Sequence, residues 1–159
     1  MRPIINCLND QYARLDQRSH ELIRLVPEER LYWKPRQVTA ATPIYSCGEH
    51  LLRSAGAVEQ TFGGLATNLW DDPFEWTLPE SLQTPAQVAH YLDEVEATRR
   101  RGFALFRSDD DLIKEISAPS GEMRMLCSFL VETLDRAAHY QGRAFEVFRL
   151  FSDARLPRL

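Results

Sequence analysis

The chain is poor in cysteine, has no long apolar run and carries no excess of positive charge. Each shortage closes off a class of protein. The cysteines, Cys7, Cys47 and Cys127, number only three and show no CxxC or CxxH spacing. That usage fits buried thiols in a reducing compartment and not a disulfide framework. No apolar stretch approaches the ~20 residues needed to span a bilayer. The N-terminal Met1-Arg2-Pro3-Ile4-Ile5-Asn6-Cys7-Leu8-Asn9-Asp10 is too briefly apolar for a secretory signal, so the protein reads as cytoplasmic. Acidic residues outnumber basic ones 23 to 19, for a net charge of −4. This argues against a general nucleic-acid or acidic-membrane surface. Arg99-Arg100-Arg101 is a local exception. On a helix three consecutive side chains point in three directions, so the run reads as a solvated face.

What is present suits one domain over residues 1–159. A compact chain of this size buries roughly 70% of its unfolded surface and needs neither disulfide nor structural metal to stay folded. Helical periodicity dominates. The stretch from Arg124 to Phe151 places Leu126, Leu130, Thr133, Leu134, Ala137, Tyr140, Ala144, Val147 and Phe151 at steps of three and four, as one broad buried face requires. In its middle the polar cluster from Asp135 to Arg143 interrupts a helix otherwise devoted to the core.

Three further helices precede it. The first runs from Pro3 to Leu25, with Ile5, Leu8, Tyr12, Leu15, Leu22 and Leu25 as its stripe and Pro27 as its stop. A turn and extended chain follow to Pro35, and Thr39 to Pro43 continues as loop. The second begins at Ser46, where Glu49 three residues on completes a capping box, and ends at Gly63-Gly64. The third opens on Thr84-Pro85 and reaches Arg107, with Val88, Leu92, Val95, Phe103 and Phe106 inward. Ser108 to Gly121 is a linker with one helical turn from Asp110 to Ile116, and Ser152 to Leu159 is a tail. No internal repeat or convincing strand pair is visible. Between the second and third helices lies a long connection carrying Trp70, Phe74 and Trp76, which either covers one end of the core or meets a partner. The fold class is all-α, a four-helix bundle, and sites in such bundles are built from inward polar side chains on facing helices.

Three segments resemble the DinB/YfiT-like family when taken in order: Pro27-Glu28-Glu29-Arg30-Leu31-Tyr32-Trp33-Lys34-Pro35, then Ser46-Cys47-Gly48-Glu49-His50-Leu51-Leu52-Arg53, then Asp135 to Gly142 and on through Phe148-Arg149-Leu150. The resemblance implies an up-down-down-up bundle, commonly a homodimer. In active members it implies a divalent metal held by three histidines, and in some a transferase using low-molecular-weight thiols. The family's metal positions fall here on Arg53, Arg136 and Tyr140, none of them histidine. A guanidinium has no lone pair and repels a cation, and neutral tyrosine is a poor ligand for zinc or nickel. No metal or other cofactor is therefore expected.

The neighbours of these positions are Glu49, His50, Glu132 and His139. His139 is turned about 100° from Tyr140 along the helix and should not share its direction. His50 and His139 together are too few for a transition-metal site and read as interfacial or hydrogen-bonded histidines. His20 and His90 read as isolated surface residues. Arg53 and Arg136, if both project inward, need partners, and Glu49 and Glu132 stand four residues before them. One reading is an internal ion-pair plug replacing the metal. Another is a pocket in which the arginines and Tyr140 take a small anionic ligand, and a third is a cavity that is simply solvated. Cys47, in the first turn of the second helix, reads as a buried, inert thiol. Three functions stay open: a metal-free domain acting by binding or dimerisation, an anion-binding protein, and a thiol-dependent transferase of unrecognised arrangement.

Overall fold

The computed structural model describes residues 1–36, 43–73 and 77–159. Four long helices account for most of them: α1 (Pro3–Leu25), α2 (Cys47–Thr67), α3 (Pro85–Ala104) and α4 (Leu126–Arg149). The expectation that the chain is mostly helical is met. The loop expected from Thr39 to Pro43, and the aromatic residues Phe74 and Trp76, lie wholly or in part outside the described residues.

Local chemistry sets the helix starts. The Ser46 hydroxyl accepts from the Glu49 backbone N–H while the Glu49 carboxylate takes the Ser46 N–H, a reciprocal capping box. Thr84 and Gln87 repeat the arrangement at α3, with Pro85 in its first turn.

Cross-helix pairs fix the directions. Ser54 donates to the Ala137 carbonyl at 2.8 Å and Thr61 meets Thr133 at 2.8 Å, so α2 and α4 run antiparallel. Tyr91 donates to Glu59 and Phe103 packs on Phe62, so α2 and α3 run parallel. His20 faces Asp93 and Arg2 reaches the Phe106 carbonyl, so α1 and α3 run antiparallel. Tyr12 donates to the Leu130 carbonyl and Gln141 to that of Leu15, so α1 and α4 run parallel. At the centre Tyr12, Phe62 and Phe103 form a three-ring cluster with centroids 4.9–5.6 Å apart. Offset and edge contacts at such spacing add to the burial of the rings.

Several details depart from the sequence reading. The linker after α3 holds a 3₁₀ turn at Asp109–Ile113 and then a strand pair, β1 (Glu115–Ser117) against β2 (Met123–Met125). The ladder is antiparallel in the register Glu115–Met125, Ile116–Arg124 and Ser117–Met123. Three residues per strand are too few to show an alternation in sequence, and Arg124 belongs to β2 and not to α4. The α3 helix stops at Ala104, short of Arg107.

The α2 helix does not stop at Gly63-Gly64 but runs on to Thr67, ending on Asn68 in the left-handed conformation (φ 58°). Gly64 serves packing there: a Cβ on it would lie 2.0 Å from the Trp70 ring. Trp70 thus folds back over α2 and meets Phe129 of α4 edge-on, with ring centroids 5.5 Å apart. In this respect the connection covers the core.

Burial corrects two further expectations. Arg99 is 2% exposed, whereas Arg100 and Arg101 lie at the surface, so the arginine run is not uniformly solvated. Arg99 donates to Asp16 at 2.7 Å and also to Asn9, which makes it a buried α1–α3 tie. Of the thiols only Cys47 is buried; Cys7 is exposed and Cys127 half-buried. Among the described residues no helix is long and apolar enough to cross a membrane.

Candidate functional site

The polar interior between α2 and α4 begins with the entry to α2. The Leu31 carbonyl accepts from the Gly48 N–H at 2.8 Å, and a Cβ on Gly48 would lie 2.8 Å from that oxygen and from the Tyr32 ring. The turn that follows α1 is thereby pressed onto the first turn of α2. Lys34 just after it reaches Glu49 at 3.2 Å, and Tyr45 lies under the Arg53 guanidinium at 3.9 Å from the ring centroid. A cation over an aromatic face at this distance is held electrostatically by the ring.

Arg53 is half-buried on α2, and Arg136 and Tyr140 stand one turn apart on α4. All three line a single cavity of about 200 Å³. Among the described residues its other walls are Gly56, Ala57, Gln60 and, from the connection after α2, Asp72. Positions far apart in sequence are thus gathered because α2 and α4 pack antiparallel along the shared Ser54–Ala137 and Thr61–Thr133 contacts.

The neighbours behave differently from expectation. Glu49 does not turn to Arg53: one carboxylate oxygen takes the Ser46 cap and the other Lys34. Glu132 pairs with Arg124 of β2, not with Arg136. The strand pair supplies that competing partner, and sequence spacing gave no sign of it. Arg136 itself is exposed at the rim, so it is not the second buried charge of an internal plug.

His139 is exposed, while Tyr140 is half-buried and lines the cavity, as the turn of one helical step requires. His50 is 5% exposed, and its Nδ1 has no hydrogen-bond partner among the described residues. Of the two expectations for it, interfacial or hydrogen-bonded, its packing against Tyr45 and Tyr140 fits the first. Burial, reinforced by the positive charges of Arg143 and Arg53, lowers its pKa to about 4.

No family model, curated protein or solved structure matches the chain.

The donor set at Arg53, Arg136 and Tyr140 does not fit a divalent cation. Two of the three side chains carry positive charge and no lone pair. Among the described residues the one His–carboxylate cluster is elsewhere, at His20, Asp93 and Glu96 between α1 and α3. His20 is half-buried and not an isolated surface residue: its Nδ1 meets the Asp16 carbonyl and its Nε2 meets Asp93, both at 2.8 Å. Glu96 is taken by Arg100 at 2.5 Å. His90 is exposed beside Glu94, as expected of a surface residue. The Cys47 thiol is fully buried and its pKa is pushed up to about 12 by that burial, which makes it a poor nucleophile.

Proposed function

We propose that the protein is a DinB-like bundle that binds a small carboxylate-bearing ligand between α2 and α4 and carries out no metal-dependent chemistry. The observation that carries this reading is that Arg53, Arg136 and Tyr140, the residues at the family's three metal positions, line one cavity. The helix directions support it: α1 and α4 run together and α2 and α3 run against them, the up-down-down-up order of that family. Two guanidinium groups stand in the cavity wall, and a carboxylate is the ligand group that such a pair suits. The planar fork of arginine matches that group through paired hydrogen bonds. Tyr140 and Gln60 add neutral hydrogen-bonding groups for the rest of the ligand.

Binding is preferred to thiol transfer because among the described residues the cavity walls hold no imidazole or thiol to serve as base or nucleophile. His50 is buried behind them and held neutral, and Cys47 is inert. Homodimerisation belongs to the same family reading and is read by sedimentation of the same sample.

Calorimetric titration with small carboxylates, with and without a thiol group, tests the proposal. Binding should weaken about ten-fold or more in Arg53→Ala and Arg136→Ala, since a charge-assisted pair contributes at least ~1.4 kcal/mol. Carboxylate affinity unchanged in both variants would sink it. Turnover of an electrophile by a bound thiol would favour the transferase instead.

A further inference from the structure

The exposed side of α1 and the C-terminal segment form a second basic depression, away from the cavity between α2 and α4. Arg14 and Arg18 stand one helical turn apart on α1, and Arg158 joins them from the segment after α4. Together with Gln17, Glu21 and Leu159 they line a cavity of about 360 Å³. None of the three arginines takes part in an ion pair among the described residues. Like charges at this helical spacing repel and cost the helix stability. Glu21, the one acidic side chain in the cavity wall among the described residues, accepts from the Gln17 amide at 2.9 Å.

Arg18 is held in place from beneath. Its Nε donates to Gln141 Oε1 at 3.1 Å. Gln141 is 2% exposed and donates in turn to the Leu15 carbonyl and the Ser19 hydroxyl, both at 2.7 Å. A buried amide with its hydrogen bonds satisfied thus fixes the guanidinium by its inner nitrogen, and its two terminal nitrogens take no partner among the described residues. Preorganised donors of this kind bind oxyanions at little ordering cost. Among the described residues three guanidinium groups face one side-chain carboxylate in this depression. Beside it, sharing Glu21 and Arg158, lies a shelf of Leu25, Leu156 and Pro157 flanked by Arg24 and Arg155.

We propose that this depression is a phosphomonoester site, with the dianionic phosphate among Arg14, Arg18 and Arg158 and the organic body on the shelf. Arginine clusters suit phosphate because several N–H groups meet its three terminal oxygens at once. Three clustered guanidinium groups, against two in the first cavity, separate it from the carboxylate reading there. The two sites stand independently.

Titration of the whole chain with phenyl phosphate and inorganic phosphate at low ionic strength tests the assignment. Phenyl phosphate should bind more tightly than inorganic phosphate. Arg14→Ala and Arg158→Ala, both exposed positions, should each weaken it about ten-fold, the worth of one charge-assisted pair. Arg53→Ala and Arg136→Ala should leave it unchanged. Co-sedimentation with phosphatidic acid vesicles, abolished by the same two substitutions, would assign the phosphomonoester to a lipid headgroup; failure to sediment would assign it to a soluble ligand. Absence of phenyl phosphate binding, or affinity that survives the Arg14→Ala/Arg158→Ala double substitution, would overturn the proposal.

Discussion

Acidification should expose the cost of burying His50. The residue is 5% exposed, and its Nδ1 has no hydrogen-bond partner among the described residues. Its surroundings are Tyr45 and Tyr140, with Arg143, Arg53 and His139 disfavouring a further positive charge and Glu49 partly offsetting them. Its pKa falls from 6.5 to about 4 on folding. The sign follows from proton counting. Between pH 6.5 and 4 the unfolded chain binds a proton at this site that the folded chain refuses, so stability drops as pH falls through that window. Linkage gives a loss of about 2 kcal/mol by pH 5 relative to pH 7, approaching about 3 kcal/mol at lower pH.

Urea unfolding of the wild-type chain and His50→Leu at pH 7, 6, 5 and 4.5 isolates this contribution. At pH 7 the variant should lie within about 1 kcal/mol of wild type, because leucine fills a similar volume and leaves no unpaired buried nitrogen. At pH 5 it should be the more stable of the two by the amount wild type has lost. Asp16 titrates in the opposite sense, its carboxyl raised to about 6 by burial despite Arg99 beside it, so its protonation favours the fold as pH falls. That contribution is common to both chains and cancels in their difference. Identical pH dependence in the two proteins would refute the reasoning.

Two substitutions test the packing. Arg99→Ala should destabilise the chain by about 3–5 kcal/mol, because it leaves the largely buried Asp16 without its cation. Replacing both partners with apolar residues of similar size, as Arg99→Met with Asp16→Leu, should recover most of that loss in denaturant unfolding. Gly64→Ala should cost about 1–3 kcal/mol through its collision with Trp70, and Trp70→Ala in the same chain should make the alanine nearly neutral. A Gly64→Ala protein as stable as wild type would mean that Trp70 does not lie on α2.

The sequence by itself determined the four helices and most of their buried faces. Periodicity and capping are local properties, and Ser46–Glu49, Thr84-Pro85 and the α4 stripe carry them within a few residues of chain. It also placed the polar residues of α2 and α4 that share a cavity, although only the antiparallel packing of those helices brings Arg53, Arg136 and Tyr140 to one wall. The tertiary structure decided the charge partners. Glu49 and Glu132 each had an arginine at helical spacing, yet Lys34 and Arg124 took them, because folded segments distant in sequence offered competing cations. Burial was decided in the same way. Arg99 and Gly64 look respectively like a surface charge and a helix stop; each is defined instead by what another element lays over it. Spacing along one helix fixes which way a side chain points, whereas its partner depends on chains that meet only after folding.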